Sequence, residues 1–302
     1  MERCVAGPLR RLLLALVLLP AGAGRADAQR TLRTIGSDFG NGIADMLYVW
    51  SAPARADGRD WAAAGLATAV VLGAAAADRD IHRWIVAHPS SAAIDGLRPF
   101  REGQDVPVVD LGSGKRIDPL SGALYVVGFV ADSRSLRDAA MGCASAHQAQ
   151  LVIHQLTLHA VQRERPLTSG GDPYDFQWGE GPWDRHAFYS GHAANIMACV
   201  GYWNTRFDMG AVEPALYALA LGIAFGRMAD QRHWASDIAV GTIFGHAVGT
   251  TVGRRARKRA EQAERAERPG EERGRPSGTR MLDRAYVTGG AAGVAIGWRT
   301  RF

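Results

Sequence analysis

The stretch ALYALALGIAFGRMADQRHWASDIAVGTIFGHAVGTTVG, residues 215–253, decides the fold. Uncharged apolar runs fill 214–226 and 238–253, and the segment between them carries Arg227, Asp230, Arg232, His233 and Asp237. Neither run alternates with a period of two. Each is long enough for several helical turns, and the polar residues between them suit the stop of one helix and the start of the next. The pattern predicts helices over 212–227 and 237–258. Outward from there, apolar stretches punctuated by Gly, Pro and charge predict further helices over 61–78, 119–131, 137–164 and 193–205. Strand-like alternation is nearly absent before residue 284. The fold class is all-α, a helical bundle of about six core helices.

The rest of the chain bounds what such a bundle does. Its 302 residues, 47% apolar and 22% charged, are an ordinary globular balance, which excludes wholesale disorder and a disulfide-stapled scaffold. The formal charge of +5 is misleading as a whole. Ten basic and five acidic residues lie in 254–280 and four basic against two acidic in 1–28, so everything else sums to −2. The core therefore has no electrostatic footprint for nucleic acid.

Arg3, Arg10 and Arg11, the apolar run Leu12–Leu19, Pro20 and the small-residue site Ala26-Asp27-Ala28 read as a secretory signal over 1–28, with an uncleaved anchor helix as the alternative. Export to the periplasm, or to the periplasmic face of the membrane, follows as an expectation. Residues 29–60 read as an N-terminal lead-in, 61–253 as the helical domain, 254–280 as a charged linker, and 281–302 as a single extended piece on the strength of Val294, Ile296 and Trp298. Cys143 and Cys199 suit either buried thiols or one disulfide. Several uncharged runs reach only 13 residues, about 20 Å of helix against a hydrocarbon core of about 30 Å, which favours a soluble or monotopic bundle. Arg254, Arg255, Arg257, Lys258 and Arg259, directly after an apolar helix, pull toward a membrane.

Residues able to do chemistry fall in three clusters at helix ends. Arg165 precedes Pro166, which disfavours helix at the residue before it and frees the guanidinium to turn. Ser190, Gly191 and His192 open an apolar helix, where unpaired N–H groups, the helix dipole and a hydroxyl suit an anion, and His192 is placed to hand a proton to a leaving oxygen. Arg227 can clamp phosphate oxygens. His233 and Asp237, at i and i+4, allow the carboxylate to accept from one ring nitrogen and leave the other free to attack. Read singly, each cluster equally suits a helix stop, a cap or a structural pair. His147, His154 and His159 have spacings that do not make a metal face; His186, near Trp178, Trp183 and Asp184, suits either a packed loop or the rim of the pocket, and Asp230 and Arg232 read as solvated.

Together the clusters resemble the signature of the type 2 phosphatidic acid phosphatase and vanadium-dependent haloperoxidase superfamily, bacterial exported phosphatase branch: Lys, six residues, Arg-Pro; Pro-Ser-Gly-His; Ser-Arg, five residues, His, three residues, Asp. Arg165-Pro166, Ser190-Gly191-His192 and Arg227 with His233 and Asp237 match at the right spacing, and the resemblance spans about 61–253. It implies an active site gathered at one end of the bundle, without metal or other cofactor in the phosphatases. His233 would be the nucleophile forming a phosphohistidine, oriented by Asp237. His192 would protonate the leaving alcohol and later activate water. Arg165, Arg227, Ser190 and the Gly191 N–H would hold the phosphoryl oxygens. Three positions depart from the signature: Leu158 for Lys, Tyr189 for Pro and Gly226 for Ser. Arg163 or His159 is the expected stand-in for the missing Lys. The expected activity is hydrolysis of a phosphomonoester or pyrophosphate, lipid-linked, with possible peripheral or integral membrane contact. The alternatives are a vanadate-dependent haloperoxidase, which the missing Lys disfavours, and a non-catalytic phosphate- or lipid-binding relative.

Overall fold

The structure is a computed structural model that describes residues 25–105, 108–179, 186–267, 285–290 and 293–298. The helices are α1 (Arg25–Trp50), α2 (Gly58–Ala87), the short α3 (Ala92–Gly96), α4 (Gly114–Val130), α5 (Arg134–Val161), α6 (Gly191–Arg206), α7 (Val212–Ala229) and α8 (Ala235–Glu267). Each predicted helix is present, and among the described residues of the bundle β-structure is limited to one isolated bridge, Arg163 with Phe176. Residues up to Arg257 cluster as one unit and Lys258–Phe302 as another. In the second unit the single extended piece is replaced by an antiparallel pair, β1 (Ala285–Gly290) and β2 (Gly293–Trp298), in which Val287 pairs with Ile296. Most of the expected secretory signal lies outside the described residues.

Residues 29–60 are more than a lead-in. Helix α1 packs along α5 through a face made of Gly42, Asp45 and Val49, while Ile43 and Leu47 point outward. The buried Asp45 carboxylate accepts from Arg255 Nε at 2.6 Å, and the Trp50 indole donates to the Ala149 carbonyl at 2.9 Å. A helix whose inner face is small and acidic has no apolar stripe for a sequence reading to find.

The core forms where α5, α6 and α8 meet: Ala146, Ala149, Ala198, Tyr202, Val248 and Val252 pack together, and α7 closes the other side with Ala220 and Ile223 against Ile196 and Val200. Gly241, Gly245 and Gly249, one per turn of α8, face the α6 backbone so closely that a Cβ on Gly245 or Gly249 would collide with the Ala194 or Ala198 carbonyl. This seam brings the N-termini of α6 and α8 side by side, with the Ser190 N–H donating to the Asp237 carbonyl at 3.1 Å. Cys143 of α5 and Cys199 of α6, 56 positions apart, are joined as a disulfide. Closing a loop of that length restrains the unfolded chain by about 4 kcal/mol in the chain-entropy account.

Helix α2 starts on a capping box: Asp57 accepts from Arg59 N–H and Asp60 N–H at 2.8 and 3.0 Å, and Asp60 answers the Asp57 N–H. Its most apolar window has no buried residue; Trp61, Leu66, Val70 and Leu72 are exposed. By length and composition α2 and α7 are able to cross a membrane, although 39% of the corresponding α7 window is buried inside the bundle.

Candidate active site

The predicted helix over 137–164 ends early, at Val161, because Gln162 turns left-handed with φ of 46° and donates its N–H to the Leu158 carbonyl at 3.1 Å. Arg163 therefore leaves the helix and enters the protein. Its side chain is 3% exposed and all its donors are taken: Nε and Nη2 by the Pro173 carbonyl at 3.0 and 2.7 Å, Nη2 by Asp78 at 2.7 Å, and Nη1 by Asp237 at 2.6 Å and Ser236 Oγ at 2.8 Å. The rings of Phe176 and Trp234 lie over its guanidinium, each centroid at 5.3 Å. No donor is left for phosphate, so the expectation that Arg163 replaces the missing Lys is corrected. Leu158 itself is buried in the last turn of α5.

What Arg163 organises is the start of α8. Asp237, three residues past Trp234, accepts the Trp234 N–H at 2.8 Å, and Asp78 of α2 accepts the Ser236 N–H at 2.9 Å and its hydroxyl at 2.6 Å. Two carboxylates thus satisfy N–H groups that a helix start leaves open. The Trp234 indole donates to the Glu164 carbonyl at 2.9 Å and lies edge-on to His82.

His233 sits on the loop just before α8 and is buried. Its Nδ1 is 2.7 Å from the Ala187 carbonyl, while the Asp237 carboxylate is 4.0 Å away. The ring is therefore oriented by a backbone oxygen, and Asp237 acts on it only through the loop it anchors; the expected direct bond is not made. A carbonyl only accepts, so Nδ1 carries the hydrogen and Nε2 the lone pair. Burial and the charge of Arg227 hold its pKa well below the ordinary histidine value, with Arg165 and His192 adding to the effect.

Ser190 caps α6, accepting from the Ala193 N–H at 3.5 Å, and is fully buried, so its hydroxyl faces the helix start. Gly191 is needed because His154 packs against it: a Cβ there would stand 2.9 Å from the His154 ring, whose Nε2 meets the Tyr189 carbonyl at 2.9 Å. The Gly191 and His192 N–H groups have no acceptor within the helix. The His192 ring makes no hydrogen bond among the described residues, and burial, then Arg227, lowers its pKa to about 4.

Arg227 ends α7 beside both histidines and Arg165. Among neighbouring charges, Arg232 acts most strongly on Arg165. Asp230 and Arg232 are not solvated bystanders: the Asp230 carboxylate accepts from Arg101 Nε and the Glu102 N–H, both at 2.8 Å, and Glu102 bridges Arg227 and Arg232. Burial pushes the Glu102 carboxyl up, but its hydrogen bonds to these two arginines and their charges outweigh it and leave it at about 2. Gly226 is explained by the same turn, since a Cβ there would collide with the Phe100 carbonyl.

The structure thus gathers Arg165, Arg227, Arg232, His192 and His233 at one end of the bundle. It adds Asp78, Glu102 and the Ala187 carbonyl, which the sequence reading did not contain. Asp78 had one signal: it shares a helical face with Ile81 and Ile85. Trp183 and Asp184 lie outside the described residues. Among the described residues no group of three His, Cys, Asp or Glu gathers as metal ligands would.

Residues 141–260, about two-fifths of the chain, match the family model of the PAP2 superfamily, whose members are phosphatases and related hydrolases. The match contains all three clusters and leaves α1 to α4 outside it, whereas the expected resemblance begins at about residue 61. Searches of curated proteins and of solved structures find no significant match.

Proposed function

We propose that the protein is a metal-independent phosphatase that cleaves a phosphate ester or pyrophosphate through a phosphohistidine on His233. The observation that carries this reading is the fixed tautomer: a buried imidazole donating Nδ1–H to the Ala187 carbonyl presents an unprotonated Nε2 beside the guanidinium groups of Arg165 and Arg227. Attack forms the Nε2–P bond as the bond from phosphorus to the alkoxide oxygen breaks, and His192 supplies that oxygen's proton. His192 then takes a proton from water as its oxygen attacks phosphorus and the P–N bond breaks. The two arginines, the Gly191 N–H and Ser190 stabilise the charge on the phosphoryl oxygens. The substrate is lipid-linked in this reading, because α2 lays an exposed apolar flank on the same bundle, and a bilayer is the surface that flank suits. The Cys143–Cys199 bond supports an oxidising compartment, hence export.

Detergent-extracted protein should release phosphate from p-nitrophenyl phosphate and from a short-chain phosphatidate, and should go on doing so in EDTA. Loss of activity in EDTA that added metal restores would rule out the metal-independent route.

The histidine environments also set the pH response. His192 must carry its proton to act as acid, and in the free enzyme it does so only below about pH 4. His233 must be neutral, which holds above its own depressed pKa. For phosphatidate, kcat/KM should therefore fall about tenfold per pH unit above about pH 5. p-Nitrophenolate leaves without help, so its profile should lack that fall. The ratio of the two profiles is read above the second ionisation of both phosphates, where substrate charge no longer changes with pH, and there it isolates the acid. Parallel profiles would remove His192 from that role.

A further inference from the structure

The guanidinium groups at the site define two seats for an anion. In the inner one, the Nε–H groups of Arg165 and Arg227 are buried and meet no acceptor among the described residues, and the Arg227 side chain is only 6% exposed. Buried donors left open at this depth suit an incoming acceptor. The outer seat, between Arg227 and Arg232, is filled by the chain itself. One Glu102 carboxylate oxygen takes Arg227 Nη1, and the other takes Arg232 Nη2 at 2.7 Å and Nε at 3.2 Å. This filling is built into the fold. Asp230, its side chain only 9% exposed, holds the Arg101 side chain and the Glu102 backbone, and the glycines at 222 and 226 make the room on α7 that the Phe100 turn needs.

We propose that Glu102 is a specificity residue: it occupies the seat of a second phosphate, so that the site accepts a phosphomonoester and discriminates against a diphosphate. The inference rests on the phosphatase reading of the inner seat. A diphosphate that places its reacting phosphoryl group against Arg165 and Arg227 brings its other phosphate to Arg232. There it meets a carboxylate already paired with both arginines and must displace it or face like charge. A monoester carries carbon at that point and leaves the Glu102 bridge in place.

The test compares the full chain with Glu102→Gln, which keeps the shape and removes the charge, and with Glu102→Ala, which empties the seat. Calorimetric titration with orthophosphate and with pyrophosphate reads the seats without turnover. The kcat/KM values for one prenyl alcohol as monophosphate and as diphosphate read them during it. The expected result is a monophosphate preference in the native chain, and in both variants a diphosphate-to-monophosphate ratio that rises by about tenfold or more, in binding as in turnover. Orthophosphate binding with an unchanged ratio in both variants overturns the Glu102 assignment alone. Orthophosphate that binds neither the native chain nor the variants overturns the inner seat, and the phosphatase reading with it.

Discussion

If the proposed route holds, His233→Ala is expected to lower kcat/KM by about a thousandfold or more on every phosphate ester tested, because the proposed nucleophile is gone. The fold should survive. Among the described residues the ring makes one hydrogen bond, to the Ala187 carbonyl, and truncation costs about 1–3 kcal/mol for that oxygen and the small void. A shift of the melting midpoint by a few degrees beside a collapse in turnover would separate chemistry from packing. The same residue should be the one labelled when the reaction is quenched in alkali: a P–N bond survives base and is cleaved in acid, so mass spectrometry of the alkaline digest should find the phosphoryl group on the peptide containing His233. His192→Ala makes the contrast. With p-nitrophenyl phosphate the first step needs no acid and the second lacks its base, so the labelled peptide should accumulate. Turnover by His233→Ala near the native rate would sink the covalent route.

Arg163→Ala should fail in the opposite way. The side chain is buried between two carboxylates, and its removal leaves Asp78 and Asp237 facing each other without a cation. Breaking a buried pair from one side costs about 3–5 kcal/mol, which in a chain of this size corresponds to a fall of about 10 °C in the melting midpoint. Activity should go with it, since the turn that presents His233 hangs on the same two carboxylates. Had Arg163 held substrate phosphate in place of the Lys missing at 158, the variant would raise KM and leave the melting point alone. The pairing of melting point and KM decides between the roles. Partial recovery in Arg163→Ala with Asp78→Asn, which removes one of the stranded charges, would tie the loss to that pair.

These two residues mark what a sequence reveals and what it hides. Arg165, Ser190, Gly191, His192, Arg227, His233 and Asp237 were legible because each cluster is local: helix geometry fixes the spacing inside it, and that spacing is written along the chain. The partners that orient them are not local. Ala187 reaches His233 through a backbone oxygen, which has no side-chain signature. Asp78 meets Arg163 across 85 positions and Glu102 meets Arg227 across 125, from an apolar helix and a turn without a motif. The role of Arg163 was misread for a related reason. Its direction depends on the left-handed residue before it, and Gln162 gives no compositional hint of that conformation. The helices of the bundle were legible from uncharged runs, whereas α1 was not, because its inward face is Gly, Asp and Val.

The bond between Cys143 and Cys199 has a topological meaning beyond its contribution to stability. It makes a covalent ring of the chain from α5 to α6, and the ring carries Arg163, Arg165, Ser190 and His192, while Arg227, His233 and Asp237 lie outside it on the arm that follows. A protease cut in the surface segment between Leu167 and Trp178 would open the ring without dividing the molecule, since both ends stay tied through sulfur. The part of the proposed site that this exposed segment belongs to is thus the part that a cut there cannot detach.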